Sequence, residues 1–507
     1  MCGDTDLSGA GCGNSAWPVL RGFGWSDPAV LLAPQLPNVY GALDYNNFRK
    51  ILIKIDEILT QSGLEDKLIS KALVAYPAKQ ASFRQKTFRH ALRCNIARHL
   101  TGESYRAFSL RLADSNLFQW FTSISALGTC KATSKSTLER YEKMFKVGEV
   151  THQIQVWLSG FSDETASKNI GLEEAINLKT ALMDSTCIKS NIHFPVDWVL
   201  LRDASRSLLK AIKTIRAQGL KHRMMEPALL LKQMNKLCIQ MTHARRKKDS
   251  KKQRKVILRK MKKLMSVIEK HAQRYHLLLT TSWTETDWSE AQAQQVLGRL
   301  DHILEQLPQA VKQAHERIIG GRQLNAKDKL LSLYDSEVDL YVRKKAGSEV
   351  EFGQSLLLTE QADGLIIDWE LFSRNAPKDP QLLQPAIRRL KKNYGDMDSV
   401  STDRAFNSAK NDDFLKEENI FNATCPRSPV QLQEKLKDPV FAALQTRRSQ
   451  TEARIGIFKN VFLGKPLRSR IIENKRHAVN WCVLTHNLWV LSRKALSDEK
   501  SRLKKAA

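Results

Sequence analysis

Apolar positions recur every three or four residues along SFRQKTFRHALRCNIARHL. Phe88, Leu92, Ile96 and Leu100 share one side there, and Arg89, Arg93 and Arg98 stand elsewhere. That period predicts an amphipathic helix, and it holds broadly from Tyr45 to about Leu158. In ATSKSTLERYEKMF, Ser136 with Glu139 three residues on is a capping-box pattern, so a helix is expected to begin there. The period shortens to that of strands around TALMDSTCIKSNIHF. It does so again in SEVEFGQSLLLTEQADGLIIDWELF, where two apolar runs flank the turn Ala362-Asp363-Gly364. A third short strand is expected in MDSVSTDRAF, ending near Asp403, before helical periodicity returns through TRRSQTEARIGIFK and HAVNWCVLTHNLWVLSRKAL. Residues 206–330 lack strand alternation and read as helical. Residues 1 to about 36, rich in Gly and Pro, have no sustained period and read as a poorly ordered tail.

Composition narrows the partners. The 507 residues are 42% hydrophobic and carry a formal net charge of +28. A folded chain of several domains with a polyanionic partner is expected, either nucleic acid or an anionic membrane surface. No apolar run approaches the ~18 residues of a membrane span, and the start lacks the charged and apolar regions of a signal peptide. Eight cysteines without a C-x-x-C pair point to neither a zinc site nor a disulfide framework. A cytoplasmic protein with no membrane partner is the expectation. Within 206–330 there are 28 Lys or Arg against 10 Asp or Glu. The focus is Arg245 to Lys263, where 12 of 19 residues are basic.

The candidate chemistry is acidic. On a helical wheel Arg448, Glu452 and Lys459 fall within roughly 40° of one another, with Gln445 beside them. Alone, an Arg-Glu pair four residues apart is an ordinary solvated helix face. Asp184 sits in the first strand and Asp403 ends the third, so carboxylates from three separated segments can meet at one sheet edge. Such oxygen ligands suit hard divalent cations. Two such ions ~3.5–4 Å apart serve in-line displacement at phosphorus. Asp396 and Asp398 are alternatives for the second acid. Asp363 and Asp368 lie in or after the hairpin, and Asp363 fits turn chemistry better than metal binding; Asp197, Asp203 and Arg206 fit the capping or support of a helix. His193 and His486 lack ligand-spaced partners, so structural roles are expected. Trp283 and Trp288 fit packing better than stacking on bases.

These blocks together resemble the DDE transposases of bacterial insertion sequences, in the branch with a Tyr-x2-Arg-x3-Glu-x6-Lys signature. Here it reads Gln445, Arg448, Glu452, Lys459, with glutamine in the tyrosine position. LMDSTCIKSNIHFPVDWVLLRDASRSL is similar to the family's first-strand block, EFGQSLLLTEQADGLIIDWELF to its hairpin, and STDRAFNSAKNDDFL to its second-acid block. HNLWVL is similar to its closing helix, and GESYRAFSLRLADSNLFQWF with SKSTLERY to its N-terminal helical domain. The resemblance implies an α/β fold with a ribonuclease-H-like core, a mixed sheet flanked by helices, interrupted by a helical insertion and preceded by an all-α domain. The expected division is a tail at 1–36, a DNA-binding helical domain at 37–160, and a catalytic domain at 161–205 and 331–495. A basic insertion at 206–330 and a basic C-terminal tail at 496–507 complete it.

It also implies a transposase that binds terminal inverted repeats and carries out cleavage and strand transfer into target DNA. Asp184, Asp403 and Glu452 would act as catalytic residues and metal ligands for two Mg²⁺ or Mn²⁺ ions. Arg448 and Lys459 would face DNA, as would Arg245, Arg246, Lys248, Lys252 and Arg254 of the insertion. A homodimer or higher oligomer would synapse two ends. The alternatives are a catalytically inactive or domesticated DNA-binding protein of transposase origin, and a metal-dependent nuclease on the same fold.

Overall fold

The computed structural model describes residues 39–126, 129–244, 246, 248–345, 348–464 and 466–506; the expected tail at 1–36 lies outside them. The chain is an α/β protein, mostly helical, around a six-stranded mixed sheet. Its first part holds α1 (Leu43–Gln61), α2 (Leu64–Leu73), α3 (Ala78–Thr101), α4 (Tyr105–Asp114) and α5 (Asn116–Thr122). A small strand pair, β1 (Ser125–Ala126) and β2 (Thr129–Cys130), precedes α6 (Lys135–Glu142), α7 (Val147–Gly160) and α8 (Glu164–Asn169).

Phe88, Leu92 and Ile96 are buried on α3 as the periodicity predicts, and Arg93 is buried too. It is not a solvent-facing cation. Its guanidinium donates from Nε and Nη2 to the Glu65 carboxylate at 2.7 and 3.0 Å, and also reaches Asp56, so its charge is matched inside the core. Helix α6 begins two residues before the expected place. Ser134 is the N-cap and accepts from Thr137 N, leaving Ser136 inside the helix.

Strand β3 (Thr180–Lys189) lies at the centre of the sheet. After it come α9 (Asp197–Ala217), α10 (Pro227–Ala244), α11 (Ser250–Ser282) and α12 (Glu290–Ala314). These four helices enclose a hydrophobic cluster of their own, running from Trp198 to Leu333. The first of them starts nine residues before 206, because Trp198, Leu201 and Leu208 already belong to that cluster. Asp197 opens α9 and is held by Arg317 and Gln313 at 2.7–2.8 Å.

The chain then returns to the sheet with β4 (Asp339–Lys345), β5 (Ser348–Glu360) and β6 (Ile366–Leu371). Next come α13 (Asp379–Tyr394), β7 (Ser399–Thr402), α14 (Ala409–Glu417) and β8 (Phe421–Asn422). Helices α15 (Pro429–Lys435), α16 (Pro439–Ile457) and α17 (Ile472–Ala506) close the fold. Strand β5 is long enough to pair antiparallel with β4 along its first half and with β6 along its second. It pairs antiparallel with β3, while β7 joins β3 and β8 joins β7 in parallel. The sheet therefore reads β6-β5-β3-β7-β8, with β4 an added partner of β5. A single core cluster runs from the helices α1–α7 through β3, β5 and β6 to α17, without a break near residue 160.

A candidate acidic site at the β3–β7 edge

The parallel register sets Met183 opposite Thr402. Asp184 and Asp403, one residue further along each chain, thus come side by side on strands spaced about 4.8 Å apart. Asp403 is the first residue beyond β7, half-buried, and its Oδ1 accepts from Ala405 N at 2.9 Å, which turns the chain away from the sheet. Asp184 accepts from its neighbour's backbone, Ser185 N, at 2.7 Å. Burial pushes the Asp184 carboxyl up to about 7. The negative charges of Asp403 and Glu452 push the same way, while the Ser185 amide and Arg448 oppose them. That one carboxyl senses Asp403, Glu452 and Arg448 together brings all three predicted acids into one electrostatic neighbourhood. Asp396 and Asp398 do not share it. Asp398 is exposed at the opposite end of β7, and Asp396 is exposed beside Lys391.

Helix α16 carries Glu452, and two faces of it do different work. Asp438 caps it, accepting from Val440 N and Phe441 N ahead of Pro439 at the first helical position. Arg447, Thr451 and Arg454 lie on the side that meets the β5–β6 hairpin. Arg447 donates to Ala362 O (2.7 Å), Gln361 O (3.1 Å) and Glu360 Oε1 (3.0 Å). Thr451 Oγ1 donates to Glu360 Oε1 at 2.6 Å, and Arg454 Nη1 to Asp363 O at 2.9 Å. Gly364 in this turn has φ +95°, and a Cβ there would collide with the Arg454 guanidinium. Asp363 is thus a turn residue, also held by Lys494 at 3.1 Å. Asp368 is buried in a two-pronged pair with Arg389.

The other face of α16 looks toward β7 and β3. Gln445 Nε2 donates to Ala423 O and, at 3.4 Å, to Ser401 Oγ. Its Oε1 accepts from Arg448 Nε at 3.1 Å. Gln445 thereby fastens Arg448 to the sheet. Glu452 is exposed on the same face. Regular helix ends at Ile457 and passes into a π-type turn, Phe458–Leu463. Lys459 is therefore off the regular wheel that the spacing assumed. Its Nζ still arrives at the site, donating to Thr186 Oγ1 at 3.0 Å, two residues along β3 from Asp184.

Three carboxylates with no nitrogen or sulfur donor form the ligand chemistry of a hard divalent cation. Positive charge beside Asp184 would offset the burial and the repulsion that together raise its carboxyl. The donor set fits Mg²⁺ or Mn²⁺ in kind. In spacing it is open: among the described residues no three His, Cys, Asp or Glu side chains are gathered closely enough to enclose a metal ion.

The remaining sequence candidates separate from this site. Arg245 lies outside the described residues. Arg246 and Lys248 are exposed in the turn before α11, and Lys252 is exposed on it. Arg254 is turned inward, its guanidinium 5.2 Å over the Trp198 ring, because its position on α11 borders the packed side. It is half-buried, where the neighbouring Lys252 is exposed. Asp203 accepts from the adjacent Arg202 and Arg206 is exposed on α9. His193 is exposed. His486 is buried against Phe458 and Phe462 and stays neutral, burial lowering it to about 4. Trp283 and Trp288 pack against the α9–α12 cluster. Sequence reasoning missed the Glu360–Arg447–Arg454 brace. The arginines' seven-residue spacing was visible, but their partner sits some 90 residues away in the hairpin.

No family model matches the chain, and no curated protein or solved structure matches it either. Among the described residues no helix is long and apolar enough to cross a membrane.

Proposed function

We propose that this chain is a DDE-type transposase, cutting the ends of a DNA element and joining them to target DNA with divalent metal. The observation that carries the reading is the meeting of Asp184 and Asp403 on adjacent parallel strands with Glu452 of α16 in the same electrostatic neighbourhood. The strand order supports it. Counting β3, β5, β6, β7 and β8 as first to fifth, the sheet reads 3-2-1-4-5, antiparallel over the first three strands and parallel beyond. That is the arrangement expected of a ribonuclease-H-like core.

Asp184, Asp403 and Glu452 would hold the metal. The chemistry that a pair of such cations supplies when bound is activation of the attacking oxygen and stabilisation of the leaving one. In the first step water's oxygen bonds to phosphorus as the P–O bond to the 3′ oxygen breaks, freeing a 3′-hydroxyl. In the second that hydroxyl attacks a target phosphodiester and displaces the target's own 3′ oxygen, so the number of P–O bonds is conserved. Arg448, steadied by Gln445, and Lys459, steadied by Thr186, supply fixed positive charge for the phosphate during both steps. The helices within 37–160 would select the terminal repeats, and two or more copies would synapse two ends.

A second reading, a DNA-binding protein without catalysis, draws on the open spacing of the acids and the glutamine at 445. The experiment is a strand-transfer assay with duplexes carrying the sequences that flank the reading frame. Joined products with Mg²⁺, lost with chelator, support the transposase. Cutting without joining supports a nuclease, and binding with neither supports the inactive protein.

A further inference from the structure

Helix α11 is 33 residues long and amphipathic in an unusual sense. Its buried stripe, from Leu258 through Met265 and Ile268 to Leu279, packs into the α9–α12 core. Opposite that stripe stand Lys252, Arg259, Lys263 and Lys270, all exposed. At 100° per residue these four fall within about 20° of one line. They span about 27 Å at 1.5 Å per residue. Glu269 is the one acid in the helix, and it lies well off that line. Among the described residues none of the four cations is ion-paired. These four stand in one line, a ridge on a helix whose packing fixes its direction, with the exposed Lys251 and Lys260 off to either side.

We propose that this ridge is a docking surface for the phosphate backbone of duplex DNA, gripping it without reading sequence. Two polyanions compete for such a surface, and the ridge favours DNA. A helix that settles on an anionic membrane inserts an apolar face below the headgroups. The apolar face of α11 is already consumed by its own bundle, and Val256, Val267 and Leu277 are the large apolar side chains it exposes, single residues ten or more positions apart rather than a continuous face. Duplex DNA needs no insertion. It presents a charge every ~3.4 Å along each strand, so about 27 Å of ridge runs beside several phosphates of one strand. Arg246 and Lys248 are exposed in the turn that precedes the helix. The inference rests on the proposed function only in its choice of polyanion.

The test uses the full chain and a random-sequence duplex, with affinity measured against salt concentration. The fourfold variant K252Q/R259Q/K263Q/K270Q is expected to flatten the slope of log K against log salt by about two to four units, at about 0.9 per phosphate contact. The triple variant K392Q/K410Q/K416Q, with exposed cations changed on α13 and α14, should alter it by less than one. In the wild-type protein, duplex DNA should protect Lys252, Lys263 and Lys270 from acetylation, which needs no variant to fold. An unchanged slope with no protection overturns the proposal. So does loss of binding to phosphatidylserine-containing vesicles with DNA affinity intact, which assigns the ridge to membranes. Separate outcomes keep the two claims apart. A flattened slope without metal-dependent cleavage sinks the transposase and keeps the ridge; cleavage with an unchanged slope does the reverse.

Discussion

Gln445 is the residue at which this chain departs from the signature it resembles, and its contacts give the departure a physical content. One amide joins the end of the sheet to the Arg448 guanidinium, a job that leucine of similar size cannot do. Gln445→Leu should reduce DNA cleavage about tenfold, the size of one positioned hydrogen bond lost near the reacting phosphate. Its melting temperature should move little, and turnover at saturating DNA should fall more than affinity. Asp184 makes a second prediction. Its folded carboxyl is raised to about 7. Between its ordinary value near 4 and about 7, the folded state therefore holds a proton that the unfolded state has lost. Its contribution to stability is full at low pH and is lost as pH rises through that window. A bound cation competes with this proton, so Mg²⁺ should raise the melting temperature more at pH 8 than at pH 5. In Asp184→Asn both the pH trend and the Mg²⁺ effect should shrink; thermal melts of the two proteins check it.

At the level of elements, α16 is aimed by the hairpin it leans on. Glu360 is buried and receives Arg447, Thr451 and the approach of Arg454. Glu360→Gln leaves two guanidinium groups without their carboxylate. A loss of about 2–4 kcal/mol is expected in chemical denaturation, somewhat under that for a fully buried pair because Arg447 keeps some water contact. The hairpin itself was legible: alternating apolar runs around Ala362-Asp363-Gly364 admit few other structures. Strand β4, DLYVRKK, was not legible, because it is an outer strand whose charged residues read as loop. Strand β8 is two residues long and owes its existence to β7. The end of α16 at Ile457 was hidden too, since a π-type turn leaves no break in apolar periodicity. The acids were picked out by their type and their place beside strands. That Asp184 and Asp403 come side by side follows from a register that only the folded sheet specifies.

At the scale of the whole molecule, two cores meet at a buried polar junction. Lys475 at the start of α17 is fully buried and donates to Asp335, to Ser190 Oγ and to Gln354 Oε1, both of the latter at 2.8 Å. Burial opposes both charges, raising the Asp335 carboxyl and lowering the Lys475 ammonium. Their direct contact keeps the pair together where the α9–α12 segment rejoins the sheet. Lys475→Ala strands the acid and should cost about 3–5 kcal/mol, measured by denaturant unfolding. The charge excess and its concentration before residue 330 were plain in the sequence. The ridge on α11 was not, because Arg254 and Lys252 look equivalent until packing turns one of them inward.

The most direct measurement is single-turnover cleavage of a duplex carrying the element end, in Mg²⁺, by the wild-type protein and by Asp184→Asn, Asp403→Asn and Glu452→Gln. Each variant is expected to bind the duplex as tightly as the wild type and to release no 3′-hydroxyl end. Cleavage by any one of them at the wild-type rate would contradict a metal site built from these three acids.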